Sequence, residues 1–476
     1  MGLNKPELSQ GRSSQLLRGA ALGSSQCEEV SLKGPFSDSR CAIAVDRAAV
    51  IVSPYFPPST LAGVHRARHL AKHLPAAGWH PIVLCVDEAF HAERLDPALA
   101  ALVPSETEIV KVRALPLGLT RQFGIGEISL RAWGPLKDNL FRLLTTRRID
   151  VVLITGSPYY PMLLARQIKR RFGVPVVLDF QDPWVSTWGR TKPFLSKAGI
   201  AHRLALNLEP RALRDADFVT SVSDIQNEAM RGRYPWLSAG NIAAIPIGGD
   251  PQDFDALRSD TSQTTSPDFL IPQRIHLSYV GTFLPRSGAL LRVLFRAFRR
   301  LRDREPSLAR QIRMNFVGTS NQPNDTTSFR VLPIAHEEGI SESVHETPRR
   351  LPYLEALAVM SRSQGLLLVG SDEPHYTASK IYPALMSGRP YLSIFHSSSS
   401  AHAILSAAAG GCALAFANES ELEALEGPLA DGLYRLADAP RTFSKANAVA
   451  YAPFEARAVA ATFAHIFDGL AASRAR

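Results

Sequence analysis

The sequence predicts an α/β protein built as two doubly wound parallel-sheet domains in tandem, and three observations carry that prediction. Short apolar runs without polar alternation recur between amphipathic stretches, the pattern of strands buried on both faces and joined by helical crossovers. The pattern is interrupted once, at the polar stretch SDTSQTTSP (259–267), and then restarts. With 476 residues, of which 45% are hydrophobic, the chain is too long for one core and apolar enough for two.

Residues 1–44 are rich in Ser, Gly and Gln and carry little periodicity, so a flexible extension is expected there. Order begins with AAVIVS at 48–53. Further strands are expected at 81–86, 108–112, 150–155, 175–180 and 217–223, with helices between most of them, among them 64–74 and 161–172. These make a first domain over 45–256. Right-handed crossovers turn such βαβ alternation into a doubly wound sheet. A linker spans 257–273. A second domain over 274–447 has strands expected at 274–281, 312–318, 364–370, 390–395 and 412–416. The remainder, 448–476, holds a helix that is expected to pack back toward the first domain.

The net charge of +9 permits anionic partners of several kinds without choosing among them. The arginines at 292–304 and 166–171 sit along helical stretches and read as solvated faces, not as a nucleic-acid stripe. Cys27, Cys41, Cys85 and Cys412 are far apart and form no CxxC pair, which argues against a zinc site or a disulfide framework and fits a reducing, cytoplasmic setting. No apolar run is long enough to cross a bilayer. A cytoplasmic protein, with peripheral contact at the anionic inner face of the plasma membrane left open, is the expectation.

Ligands of doubly wound sheets sit beyond the carboxyl ends of the strands, so the loops there are the places to look. The first strand leads into SPYFPPSTLAG, where Gly63 allows close approach to a ligand at a helix start or is an ordinary loop glycine. On the helix that follows, His65, His69 and His73 recur every four residues along one face. A metal reading lacks any neighbouring carboxylate or cysteine. With Arg66, Arg68 and Lys72 on the same helix, a solvated basic face is preferred. LDFQDPWVSTW offers Asp179, Asp182, Trp184 and Trp188, carboxylates and aromatic rings suited to sugar hydroxyls and sugar faces, or to capping a turn. In the second domain, YVGTFLPRSG places Gly281 and Arg286 after a strand, where a cation can neutralise a diphosphate. GSDEPHYTASKIYPALMSGRP places Ser379 and Lys380 at a helix start, where amides and an ammonium can hold phosphate.

Together these segments resemble the GT4-type glycosyltransferases of the GT-B fold, in particular the bacterial surface-polysaccharide branch, from about residue 48 to the end. The resemblance rests on the Pro-rich loop with Gly63, on Asp182-Pro183-Trp184, on Glu209 followed by Ala216, Asp217 and Ser223, on IPIGGD with Gly248 and Asp250, and on Ser379, Lys380, Tyr382, Gly388 and Pro390. It implies two Rossmann-like domains facing a cleft, an acceptor domain first and a donor domain second. The implied reaction is hexosyl transfer from a nucleotide diphosphate sugar to a hydroxyl of a saccharide or lipid-linked acceptor, retaining and metal-independent, in polysaccharide or glycoconjugate biosynthesis. No cofactor and no nucleic acid take part. Arg286 and Lys380 are the expected catalytic cations. Gly281, Glu373, His375, Ser379 and Lys380 are expected on the donor, and Gly63, Asp182 and Trp184 on the acceptor side. The chain departs from the family's pattern in three places. His375 and Pro383 stand where two glutamates are usual, Thr282 and Ser287 where Arg and Lys are usual, and Ile247 where asparagine is usual. Those departures keep a non-catalytic binding or scaffold protein in view as the alternative.

Overall fold

The computed structural model describes residues 47–259, 267–320, 322, 325–372 and 379–475. The expected extension over 1–44 and part of the expected linker lie outside the described residues.

Two wholly parallel sheets form. The first contains β1 (Arg47–Val52), β2 (Trp79–Val86), β3 (Glu108–Val112), β4 (Val151–Gly156), β5 (Val176–Phe180), β6 (Phe218–Ser221) and β7 (Ile242–Ala244), in the order β3-β2-β1-β4-β5-β6-β7. The second contains β8 (Ile275–Val280), β9 (Ile312–Val317), β10 (Val344–Thr347), β11 (Gly365–Val369), β12 (Tyr391–His396) and β13 (Gly411–Phe416), in the order β10-β9-β8-β11-β12-β13. Strand order reverses between β1 and β4 in one sheet and between β8 and β11 in the other. Each reversal opens a crevice at the carboxyl edge.

The apolar runs arise because both faces of each sheet are covered. In β1, Val50 and Val52 face a cluster with Leu136, Leu140 and Ile168, whereas Ala49 and Ile51 face the helix Val64–His73 and the C-terminal helix Ala456–Ala475. Phe467 of that last helix meets Trp79 edge-on, with ring centroids 5.3 Å apart, and Trp79 donates to Asp468 at 2.9 Å. The end of the described chain therefore belongs to the core of the first sheet. In the second sheet the helix Gly288–Arg304 buries Leu290, Leu294, Phe295 and Phe298 on one face. Its arginines, read from sequence as a solvated face, meet carboxylates: Arg292 pairs with Glu337, Arg296 with Glu338 and Arg304 with Asp431.

The helix Val64–His73 overturns its sequence reading. Arg66 and Arg68 are fully buried, and His69 and His73 nearly so. A buried guanidinium needs compensation. Asp179 supplies it to Arg66 at 3.1 Å, and Asp253 supplies it to Arg68 through two bonds of 2.8 and 2.6 Å. The partners lie more than a hundred residues away along the chain, so local sequence gave no sign of them. His73 and Lys72 each reach Asp250 at 2.8 Å. Burial opposes ionisation of Asp250, yet these two hydrogen bonds outweigh it and hold the carboxyl below the usual range.

The chain crosses between the halves at Gly249. Its N–H donates to Phe454 O at 3.0 Å and its carbonyl accepts from Ala456 N at 2.7 Å. Gly248 has φ +74°, and a Cβ there would lie 2.3 Å from Phe454 O, so no other residue fits. Beyond it the helix Pro251–Ser259 lays Phe254 into the second-half cluster with Leu357 and Tyr382.

Candidate active site

A cavity of about 300 Å³ opens where the carboxyl edges of the two sheets meet. From the first half it is lined by Thr60 and Ala62 of the loop after β1, by His65 and His69, by Asp96, and by Gly248 and Gly249. From the second half it is lined by Gly281 and Thr282 after β8, Gly318 after β9, Arg350 and Tyr353 after β10, and Ser379, Lys380 and Pro383 after β11. Leu99, Leu357 and Met360 make part of the wall apolar. A concave space with an apolar wall and a few converging charges is the usual form of a small-molecule site.

Lys380 is half-buried, and its ammonium donates to the Tyr279 hydroxyl and stands 3.9 Å from the centre of that ring. Burial pulls the ammonium down to about 7. No carboxylate pairs with Lys380 among the described residues. Tyr279 in turn donates to Thr282 O at 2.8 Å, which fixes the phenol in the loop after β8. Gly281 in the same loop has φ +133°, and a Cβ there would approach Lys380 Cδ to 3.3 Å. The sequence-predicted residues Gly281, Ser379 and Lys380 thus converge on one wall. The helix after Lys380, Ile381–Met386, is six residues long, so it supplies amides but a shorter dipole than expected.

Arg286 is elsewhere. It is exposed, it does not line the cavity, and its guanidinium forks onto Asp372 at 2.7 and 3.1 Å. Glu373 and His375, also expected at the donor, lie outside the described residues. Sequence reasoning missed Arg350, whose Nη1 crosses the cavity mouth to donate to Thr60 O at 2.6 Å. Desolvation lowers its pKa, and no carboxylate pairs with it among the described residues. It follows β10, a strand too short and too polar to be read from the sequence.

The opposite wall carries imidazoles. Burial foremost, then the charges of Arg68 and Arg350, push His65 down to about 3, and burial likewise lowers His69 well below its ordinary value. Both rings are neutral at pH 7, and His65 can accept or donate a hydrogen bond to a hydroxyl without adding charge. Among the described residues no group of three or more His, Cys, Asp or Glu could hold a metal ion.

Tyr353 fastens the two halves together across this cavity. Its ring leans on His65, centroids 4.6 Å apart, and lies 5.3 Å from the guanidinium of Arg68. Its amide donates to Asp96 Oδ2 at 2.7 Å, while Asp96 Oδ1 caps the first-half helix Pro97–Ala100. One carboxylate therefore serves helices from both halves.

Of the residues expected on the acceptor side, Gly63 lies next to Ala62 on the wall, and its carbonyl accepts from Gln181 at 3.1 Å. Asp182 and Trp184 are not in the cavity lining but follow β5 at the same edge. Trp184 stacks on Tyr159 with centroids 5.2 Å apart and planes 13° from parallel. Protein around Asp182 raises its carboxyl to about 6, although the residue keeps contact with solvent, which moderates the shift. Glu209 holds this turn by accepting from Val185 N at 3.1 Å and from Arg233 at 2.8 Å. Asp179 offers nothing to a sugar: it is fully buried and accepts from Arg66, Thr155 and Thr220.

Residues 62–248, from the cavity wall through β7, match the family described as glycosyl transferase 4-like domain. No curated protein sequence matches the chain. Solved structures do match it in fold. HepE of Anabaena, in complex with UDP, is 14% identical with TM-score 0.53, and the match covers 89% of this chain and 100% of that one. The α,α-trehalose 6-phosphate synthase of Burkholderia multivorans is 14% identical with TM-score 0.57, covering 90% and 98%. A glycosyltransferase of Rickettsia africae is 14% identical with TM-score 0.53, covering 89% and 98%. The two-sheet architecture is that of the GT-B fold, as the sequence leads one to expect. The segment that matches this family supplies the first wall of the cavity and the β8–β13 half supplies the second. No helix among the described residues is long and apolar enough to cross a membrane.

Proposed function

We propose that the cavity transfers a glycosyl unit, of hexosyl type, from a nucleotide diphosphate sugar to a hydroxyl of a saccharide or lipid-linked acceptor. Transfer is with retention at the anomeric carbon and without a metal ion. The observation that carries this reading is the pair Arg350 and Lys380, two cations without carboxylate partners among the described residues, lining one cavity at the carboxyl edges of both sheets.

Negative charge grows on the departing diphosphate, and a preorganised cation in a water-poor site stabilises it more than the same cation in water would. Lys380, Ser379 and Gly281 form the donor wall, with Glu373 and His375 in the adjoining segment. Arg286 would join them by exchanging Asp372 for the diphosphate. On the acceptor side Gly63, Asp182 and Trp184 shape the approach, and Trp184 offers a ring face to a sugar. The cations take the part that a divalent ion plays in other transferases, so no cofactor is required. The free thiols Cys85 and Cys412 fit a reducing, cytoplasmic setting, and polysaccharide or glycoconjugate assembly is the proposed setting for the product.

One observation favours a second reading. Pro383 lines the cavity and offers neither charge nor hydrogen-bond donor where the family's pattern has a carboxylate. A binding protein without catalysis would tolerate that loss. Calorimetric titration with UDP, GDP, ADP and dTDP, followed by assay of nucleotide release from the matching sugar donors, separates the readings. Binding with turnover supports transfer, binding without turnover supports the second reading, and the absence of any binding below about 1 mM defeats transfer and leaves a scaffold protein.

A further inference from the structure

A notch in the crevice of the first sheet holds a buried acceptor oxygen that the fold leaves unused. It lies where strand order reverses, among the loops after β1, β4 and β5. Gly63 of the first loop has no side chain to fill it, and a Cβ there would stand 3.4 Å from Ser157 O, 3.6 Å from Gln181 Oε1 and 3.9 Å from Gln181 Nε2. The space admits one heavy atom, and the nearest atoms across it are polar. Ala62, next to Gly63, lines the main cavity, so a molecule held here reaches the reaction space.

Gln181 is 6% exposed, and the direction of its amide is fixed. Nε2 donates to Gly63 O at 3.1 Å and to Thr155 Oγ1 at 2.7 Å; Thr155 gives its own hydrogen to Asp179 at 2.8 Å and can only accept from the amide. Turning the amide over would set Oε1 against these two acceptors. Oε1 therefore stays beside the notch, buried and with no hydrogen-bond partner among the described residues. A buried acceptor left open in this way calls for a donor from a ligand.

Counting hydrogens narrows that ligand. Ser157 O and Gln181 Oε1 only accept, so an atom seated between them is matched when it carries at least two hydrogens. A hydroxyl or an acylated nitrogen carries one; an amino group carries two or three. Charge points the same way. Among the described residues no ion pair or side-chain hydrogen bond reaches the carboxylate of Asp182, the next residue. Trp184 beyond it stacks on Tyr159, and a ring beside an acid suits a cation. The helix that starts at Val64 brings its positive end near, but its first two amides donate back to Leu61 O at 3.2 Å and Ala62 O at 3.4 Å. A net charge of +9 gives the chain no general attraction for an ammonium, so any such preference is local.

We infer that this notch takes the unacylated amino group of the acceptor, which makes the acceptor an amino sugar and Gln181 the residue that selects it. The inference rests on the transfer reading only in calling the bound amine the acceptor.

The experiment is ligand-observed NMR titration of the full chain, without nucleotide, with glucosamine, galactosamine and mannosamine, each beside its hydroxyl and N-acetyl counterparts. At least one amine is expected to bind about tenfold tighter than both counterparts. Gly63→Ala fills the notch at ordinary contact distances, in a backbone conformation of φ −60° and ψ −20° that alanine adopts freely. It should bring that amine to the level of the hydroxyl sugar, with the thermal transition reporting that the fold is kept. Gln181→Met, which keeps the length of the side chain and removes the oxygen, should do the same. Amines that bind no better than their counterparts, or not at all, overturn the inference, as does a preference that survives Gly63→Ala. A preference for the amine in a chain that binds no nucleotide keeps the notch as an amino-sugar site and removes only the transfer reading.

Discussion

The phenol of Tyr353 donates a 2.9 Å hydrogen bond to Asp253 Oδ2, the same oxygen that Arg68 holds at 2.6 Å. A second-half ring thereby completes the hydrogen bonding of a fully buried ion pair whose guanidinium stands on the helix after β1. Removing different members of this group should have unequal effects. Tyr353→Phe deletes one hydrogen bond to a charged acceptor, about 1.5–3 kcal/mol. Asp253→Ala strands a guanidinium in the interior and should cost about 3–5 kcal/mol. Urea unfolding of both variants provides the comparison; equal losses would mean that Arg68 finds another partner.

Lys380 gives nucleotide binding a pH dependence. Burial brings its pKa to about 7, and a bound diphosphate favours the charged form, so the pKa rises on binding. Binding above pH 7 then takes up a proton, and affinity declines as pH rises beyond 7. Calorimetry in buffers of different ionisation enthalpy measures the uptake. Lys380→Ala should weaken binding by about tenfold or more and abolish the uptake. Unchanged uptake in that variant would assign the proton to another group.

Gly281→Ala tests the same wall from the backbone. Its φ of +133° disfavours any side chain, and the new methyl would press Lys380 Cδ at 3.3 Å. Nucleotide affinity should fall by about tenfold, with a stability loss of about 1–3 kcal/mol. A variant that binds normally would show that Lys380 reaches the donor by another path.

Trp184→Ala should affect only the acceptor. Loss of a ring contact worth about 0.5–1.5 kcal/mol predicts an increase in acceptor KM of about threefold to tenfold. The dissociation constant for nucleotide, measured on the same preparation, should not move; a parallel change would place Trp184 in the structure and not at the substrate.

Acid sensitivity should trace partly to Asp250. Its carboxyl is held below the usual range despite burial by bonds from His73 and Lys72. Its contribution to stability is thus complete above the unfolded-state value of about 3.9 and lost as pH falls through the lower folded value. Asp250→Asn should flatten that part of the urea-midpoint profile below about pH 4.

Strands flanked on both sides by helices were legible because apolar residues run through them without alternation, as in Val151–Ile154 and Gly365–Val369. Two strands escaped for opposite reasons: Ile242–Ala244 is only three residues long, and Val344–Thr347 alternates with His345 and Thr347 less buried. Lys380 was legible because it opens a helix after a strand. Arg350 was not, since the strand preceding it was not, and the pairing of Arg286 with Asp372 was not, since Asp372 stands 86 residues away. The basic helix was the deepest error. Residue type records that Arg66 and Arg68 are charged; only the folded chain brings Asp179 and Asp253 against them.

The double crossing at Gly249 and Phe454 bears on how the halves can move. Two strands of chain run side by side there, tied by two backbone hydrogen bonds, at the edge of the cavity. A single crossing would act as a swivel and let the halves turn about any axis. A pair resists twisting, so the cations of one half are held in register opposite the imidazoles of the other.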